Sequence, residues 1–199
     1  MYMGKHLGAV YQRKGFTLLE MAISLGVVLV ITAQVMANFS SLREASTLNR
    51  AAQELAFNIR RAQNMALAVA PAALGPSGIL QIPKSIGILI STRSSIINGY
   101  RVYTYFFFAD QNGNGKFDGA PEQMEPLIVL PANIEITSIT GENILNPGVH
   151  IIFYTPEATA AMTDYNGTPI LNAIDITLQG SSGGKRIVRV LVSGSVSVQ

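Results

Sequence analysis

Between Phe16 and Ala37 the chain reads FTLLEMAISLGVVLVITAQVMA, and no other stretch limits its folding options so strongly. A helix of about 20 apolar residues matches the roughly 30 Å hydrocarbon layer of a bilayer. The polar members of the run are Thr17, Glu20, Ser24, Thr32 and Gln34, and Glu20 alone is charged. The run is too long for the hydrophobic region of a secretory signal peptide, and no small-x-small cleavage site follows it. It fits a signal anchor, because Lys5, Arg13 and Lys14 precede it and would hold the leading residues in the cytoplasm. A plain anchor does not account for an acid so early in the span. A carboxylate within a bilayer is costly and normally implies a partner or a function.

The helical pattern continues past Ala37. Apolar or small residues recur at Phe39, Leu42, Ala45, Leu48, Ala52, Leu55, Ala56, Ile59, Ala62 and Met65, mostly in steps of three and four. No Pro or Gly interrupts between Val27 and Ala70, and Pro71 with Gly75-Pro76 ends the run. The spacing predicts one helix from Phe16 to about Val69. Its first half, residues 16–37, is apolar almost all round; its second half, residues 38–70, carries one apolar stripe suited to a sheet.

From residue 76 to 199 the texture is β-rich. Strands are predicted at Gly87–Thr92, Tyr100–Phe108, Leu127–Val129, Ile134–Thr140, His150–Tyr154, Ile174–Leu178, Arg186–Val192 and Val196–Val198. Alternation in Ile134-Glu-Ile-Thr-Ser-Ile and Ile174-Asp-Ile-Thr-Leu fits half-buried antiparallel strands. The fold class expected is α+β, one long amino-terminal helix packed on an antiparallel sheet head.

Composition removes several kinds of chemistry. Without cysteine there are no disulfides, thiolate metal sites or thiol nucleophiles. His6 lies in the leading segment, which leaves His150 as the one histidine of the body, in a strand pattern that suits packing or surface. Nucleophilic triads and zinc hydrolysis therefore lack their parts, and an enzyme is not expected. Setting aside Lys5, Arg13 and Lys14 leaves eleven basic residues against twelve acidic ones, scattered along the sequence. No stripe of positive charge indicates nucleic acid.

One loop has an order that suggests chemistry. Asp110-Gln-Asn112-Gly-Asn114-Gly115-Lys116-Phe117-Asp118 offers side-chain oxygens at alternate positions, then glycine, then a backbone carbonyl. That is the sequence of ligands in a calcium-binding loop of EF-hand type. Calcium would draw on Asp110, Asn112, Asn114, the Lys116 carbonyl, Asp118 and Glu122. Two asparagines stand where aspartates would give more charge, and Pro121 occupies the twelfth position with Glu122 one residue late. The alternative is a solvated Asn-Gly turn joining two strands, which needs no metal.

The segment Arg13-Lys14-Gly15-Phe16-Thr17-Leu18-Leu19-Glu20 resembles the processing motif of type IV prepilins and type II secretion pseudopilins. The resemblance implies cleavage of residues 1–15 as a leader, between Gly15 and Phe16, by a membrane prepilin peptidase that then N-methylates Phe16. It also implies that Glu20 pairs with the terminal amine of a neighbouring subunit during filament assembly, where a buried charge becomes tolerable. The head is similar in the order of its parts to H-type minor pseudopilins, the GspH/FimT family. An aromatic strand precedes FADQNGNGKFDGAPEQ; IIFYTPEATA and KRIVRVLVSGSVSV follow.

The resemblance implies a minor pilin or pseudopilin of a pilus, secretion or DNA-uptake filament, held in the inner membrane with its head extracytoplasmic. Its partners would be other pilins through the helix, the prepilin peptidase and an inner-membrane assembly platform. Two other classes stay open: a major pilin forming the shaft, and a membrane-tethered calcium-binding or adhesive domain that never polymerises.

Overall fold

The computed structural model describes residues 15–74, 79–97, 100–124, 127–142, 144 and 147–199. The expected leader, apart from Gly15, lies outside them. The chain divides between Ser40 and Ser41 into two compact units. One helix, α1 (Leu18–Leu67), contributes to both.

In the first unit α1 begins just after Thr17. The Thr17 hydroxyl accepts the Glu20 N–H at 3.2 Å and its carbonyl accepts the Met21 N–H at 3.1 Å. Thr17 is thus the N-cap and Glu20 the third helical residue, the register of a Thr-x-x-Glu capping box. An acid in that first turn also faces the positive end of the helix dipole. Ser24 and Thr32 donate their hydroxyls at 2.8 Å to the Glu20 and Val28 carbonyls one turn back, so these groups need no outside partner. Every side chain from Phe16 to Met36 is exposed. The segment is long and apolar enough to cross a membrane.

In the second unit α1 becomes amphipathic. Leu48, Ala51, Ala52, Leu55, Ala56, Ile59, Ala62 and Ala66 are buried at helical spacing. The stripe starts later than the sequence pattern suggests, since Phe39, Leu42 and Ala45 are exposed. Five of these eight buried positions are alanine, which lets the helix backbone approach the strands closely. The helix ends with Val69 in the left-handed region (φ 49°). Its N–H reaches the Ala66 carbonyl, and the Ala70 N–H reaches the Met65 carbonyl. This is a Schellman stop followed by Pro71, with valine where glycine is usual.

Twelve strands follow among the described residues: β1 (Ala72–Leu74), β2 (Ile79–Gln81), β3 (Ser85–Ile97), β4 (Tyr100–Asp110), β5 (Ile128–Val129), β6 (Ile134–Gly141), β7 (Gly148–Tyr154), β8 (Thr159–Asp164), β9 (Pro169–Ile170), β10 (Ala173–Gly180), β11 (Lys185–Leu191) and β12 (Val196–Val198). All pairings are antiparallel, with β1 and β2 forming a ribbon of their own. A four-stranded sheet runs β12-β11-β10-β6 and a six-stranded one runs β5-β4-β3-β7-β8-β9. Each expected strand is present within a few residues. The strands β1, β2, β8 and β9 go beyond those the sequence pattern predicts.

Both sheets turn one face to the helical stripe, and a single apolar core results. It joins Leu55 and Ile59 to Ile136, Ile176 and Val188 of the smaller sheet, and to Ile88, Phe107 and Phe153 of the larger. A polar contact crosses this core: Asn58 donates to the Tyr105 hydroxyl at 2.8 Å. Burial pushes the ionisation of that hydroxyl up to about 12, so it stays neutral. Glu44 fastens the helix to the β10–β11 turn by accepting the Ser182 N–H at 2.6 Å and the Ser181 hydroxyl at 3.1 Å. Arg60 donates to the Val196 carbonyl at 2.7 Å.

Neighbouring helix positions on opposite faces should respond very differently to truncation. Ile59→Ala removes a fully buried side chain and is expected to cost about 2–5 kcal/mol in urea unfolding of the protein. Phe57→Ala, at a position 63% exposed, should stay within about 0.5 kcal/mol of the parent.

Candidate functional site

The acidic loop grows out of the end of β4. Strand alternation sends Phe107 into the main core, while Phe106 and Phe108 lie in a separate apolar cluster with Leu89 and Ile152. The loop folds back over this second cluster. Phe117 packs edge-on against Phe106 and Phe108, with ring centroids 4.8 and 5.9 Å apart. Gly87 leaves room for the Phe108 ring; a methyl group there would sit 2.3 Å from it.

Asp110 organises the loop from beneath. It is fully buried, and its carboxylate accepts the Ser85 hydroxyl at 2.9 Å, the Gly113 N–H at 2.6 Å and the Gly115 N–H at 2.9 Å. Both glycines have left-handed backbones, with φ of 80° and 73°. The side-chain oxygens of Asn112 and Asn114 accept the N–H groups of Asn114 and Lys116 at 2.9 and 3.0 Å. Their amide nitrogens both donate to Asp118 Oδ2, each at 2.6 Å. The Lys116 ammonium lies 3.7 Å from Asp118 Oδ1. Asn112 first, then Asn114 and Lys116, hold the Asp118 carboxyl below its usual range. Glu122 accepts the Asp118 N–H at 2.8 Å and the Gln111 N–H at 3.3 Å, and burial raises its carboxyl in spite of them.

The structure thus brings together all the residues predicted as calcium ligands, but in a closed arrangement. Two amide N–H groups and an ammonium meet Asp118 where a cation would require oxygens. Turning the amides over would leave the Asn114 and Lys116 N–H groups facing nitrogen. In this arrangement the Asn112 and Asn114 oxygens each accept a backbone N–H while their amide nitrogens close on Asp118. No group of three or more His, Cys, Asp or Glu among the described residues could hold a metal ion.

His150, which the sequence suits to packing or surface, is buried under the loop. Its ring meets Phe108 edge-on at 5.7 Å and stacks on Tyr165 at 6.1 Å. The Thr163 hydroxyl donates to the Gly115 carbonyl at 2.9 Å, which ties the loop to β8. With that proton committed, the 3.3 Å contact between Thr163 Oγ1 and His150 Nδ1 requires the proton on Nδ1. The Asp164 carbonyl, 3.1 Å from Nδ1, suits the same tautomer. Burial lowers the imidazole from the ordinary 6.5.

The predicted residues of the processing motif lie in the first unit. Gly15 and Phe16 precede the helix without regular structure, and both are exposed. Among the described residues, a methyl group at position 15 would meet nothing within 4 Å. Glu20 is exposed at the helix start. Its N–H bond to Thr17 has a sequence signal of its own, Thr-x-x-Glu ahead of an apolar run, independent of any processing.

The chain was compared with protein-family models, curated proteins and solved structures. None of the three gives a match.

Asp110→Ala leaves three donors unsatisfied and should cost about 3 kcal/mol. A closed loop predicts the same loss in calcium and in chelator. A thermal shift with calcium in the parent, absent from the variant, would establish a cation instead. Acid should destabilise the head through His150. Its lowered native value means the unfolded state takes the proton first, so stability falls as pH drops below 6.5. His150→Gln should flatten that slope in melts between neutral and mildly acidic pH.

Proposed function

We propose that the protein is a type IV pilin-like subunit, a minor pilin or pseudopilin, cut between Gly15 and Phe16 and N-methylated at Phe16. The observation that carries this reading is Gly15-Phe16-Thr17-Leu18-Leu19-Glu20 standing at the start of α1. The segment that follows exposes Leu18, Leu19, Ile23, Leu25 and Leu29 on all sides, a surface that calls for lipid before assembly and other helices after it.

Glu20 explains why the span would be transferable. In the first turn its carboxylate suits the helix dipole, but a bilayer still penalises it. Pairing with the terminal ammonium of a neighbouring subunit removes that penalty and favours the filament. On this reading the head is extracytoplasmic, the anchor sits in the inner membrane, and the work is structural assembly. The peptidase, an assembly platform and other pilins are the partners.

Mass spectrometry of the native amino terminus is the direct test. The expected polypeptide starts at Phe16 and carries a methyl group; one retaining Met1 would overturn the proposal. Glu20→Ala should abolish recovery in sheared filament fractions while leaving the melting temperature of the head unchanged. Full processing without any filament recovery of the parent would favour a tethered domain that does not polymerise.

A further inference from the structure

Three Asn-Gly pairs lie among the described residues: Asn112–Gly113, Asn114–Gly115 and Asn166–Gly167. Such pairs are chemically labile. The glycine nitrogen, unshielded by a side chain, loses its proton to solvent and attacks the asparagine Cγ. A bond forms between that nitrogen and Cγ, the Cγ–Nδ2 bond breaks, and ammonia departs to leave a succinimide. Water then opens the ring to aspartate or isoaspartate, so the net change is amide plus water to carboxylate plus ammonium. The reaction needs a free glycine N–H and a free asparagine side chain.

In the acidic loop neither reactant is free. The Gly113 N–H is held by one Asp110 oxygen at 2.6 Å and the Gly115 N–H by the other at 2.9 Å. A carboxylate against each nitrogen opposes the amide anion that must form there. The two asparagine side chains are tethered at both ends, oxygen to backbone and nitrogen to Asp118. The third pair differs: the Gly167 N–H is held at 3.0 Å by the Asp164 carbonyl, without help from Asp110.

We propose that Asn112 and Asn114 are deamidation sites kept latent by Asp110, whose two carboxylate oxygens each sequester the glycine N–H that would attack. Asp110 is a positioning residue in this scheme, and the Ser85 hydroxyl orients it. Conversion at either asparagine replaces an amide donor to Asp118 with a second carboxylate facing it. The loop then loses the contacts that close it, and Phe117 loses its hold over Phe106 and Phe108. Asp110 therefore sets the chemical lifetime of the loop as well as its shape.

The test is peptide mapping by mass spectrometry on the full-length protein, aged in mildly alkaline buffer, with Asn166 as internal reference. In the parent, Asn112 and Asn114 should convert no faster than Asn166. Asp110→Ala should accelerate conversion at both by about ten- to a hundredfold, the factor set by freeing an N–H from a charged acceptor. Asn166 should keep its rate. Asp110→Asn, which preserves volume and one acceptor oxygen, should release at least one of the two sites. Unchanged rates in both variants would overturn the proposal. So would acceleration of all three sites in step, because the protection would then belong to the fold at large.

Discussion

The buried stripe of α1 is the contact on which the rest of the head depends. Leu48, Leu55 and Ile59, set among five alanines, fill the space between two sheets that share no strand. Residues from the inner faces of both sheets join the helical stripe in one apolar core. The alanines allow close approach, whereas the large residues of the core come mainly from the strands, among them Phe107, Phe153 and Tyr105. Burial at about 25 cal/mol per Å² of apolar surface drives the association but does not choose an orientation. Directional contacts do that. Asn58 reaches Tyr105 in the core, Glu44 takes the Ser182 N–H, and Arg60 reaches Val196.

The same helix meets a different physical demand in its first unit. Its hydroxyls at Ser24 and Thr32 are satisfied by carbonyls one turn back, and its apolar side chains are exposed. A membrane and a bundle of helices are equivalent solvents for such a surface, since both are apolar and neither competes for backbone hydrogen bonds. On the proposed reading Glu20 distinguishes them, because the filament bundle would bring a neighbour's terminal ammonium to it.

Beyond the larger sheet's core-facing side, the acidic loop is a polar lid over an apolar cluster. The alternation of polar side chains and glycines that suggests a cation loop also builds this closed one. Asp110 gathers backbone N–H groups that the left-handed glycines turn inward, and the asparagine amides satisfy Asp118. The position of the loop and its residues were legible in the sequence. The direction in which two side-chain amides face was not, because it is decided by which backbone donors the folded loop brings to their oxygens.

By itself the sequence determined the long helix, its apolar first half, the stripe from Leu48 onward and eight strands rich in β-branched or aromatic residues. These signals are local: periodicities of 3.6 and 2, ended by Pro and Gly. Only the tertiary structure decided that Phe39, Leu42 and Ala45 fall outside the core, and that Thr159–Asp164 is a strand. Thr-Ala-Ala-Met-Thr-Asp has little β-propensity and no alternation. It is extended because the free edge of β7 leaves N–H and C=O groups that need partners, and β9 then pairs with it in turn. His150 was likewise ambiguous from its neighbours in sequence. Burial between Phe108 and Tyr165, fixed by pairing of β7 with β3 and β8, makes it a packed residue.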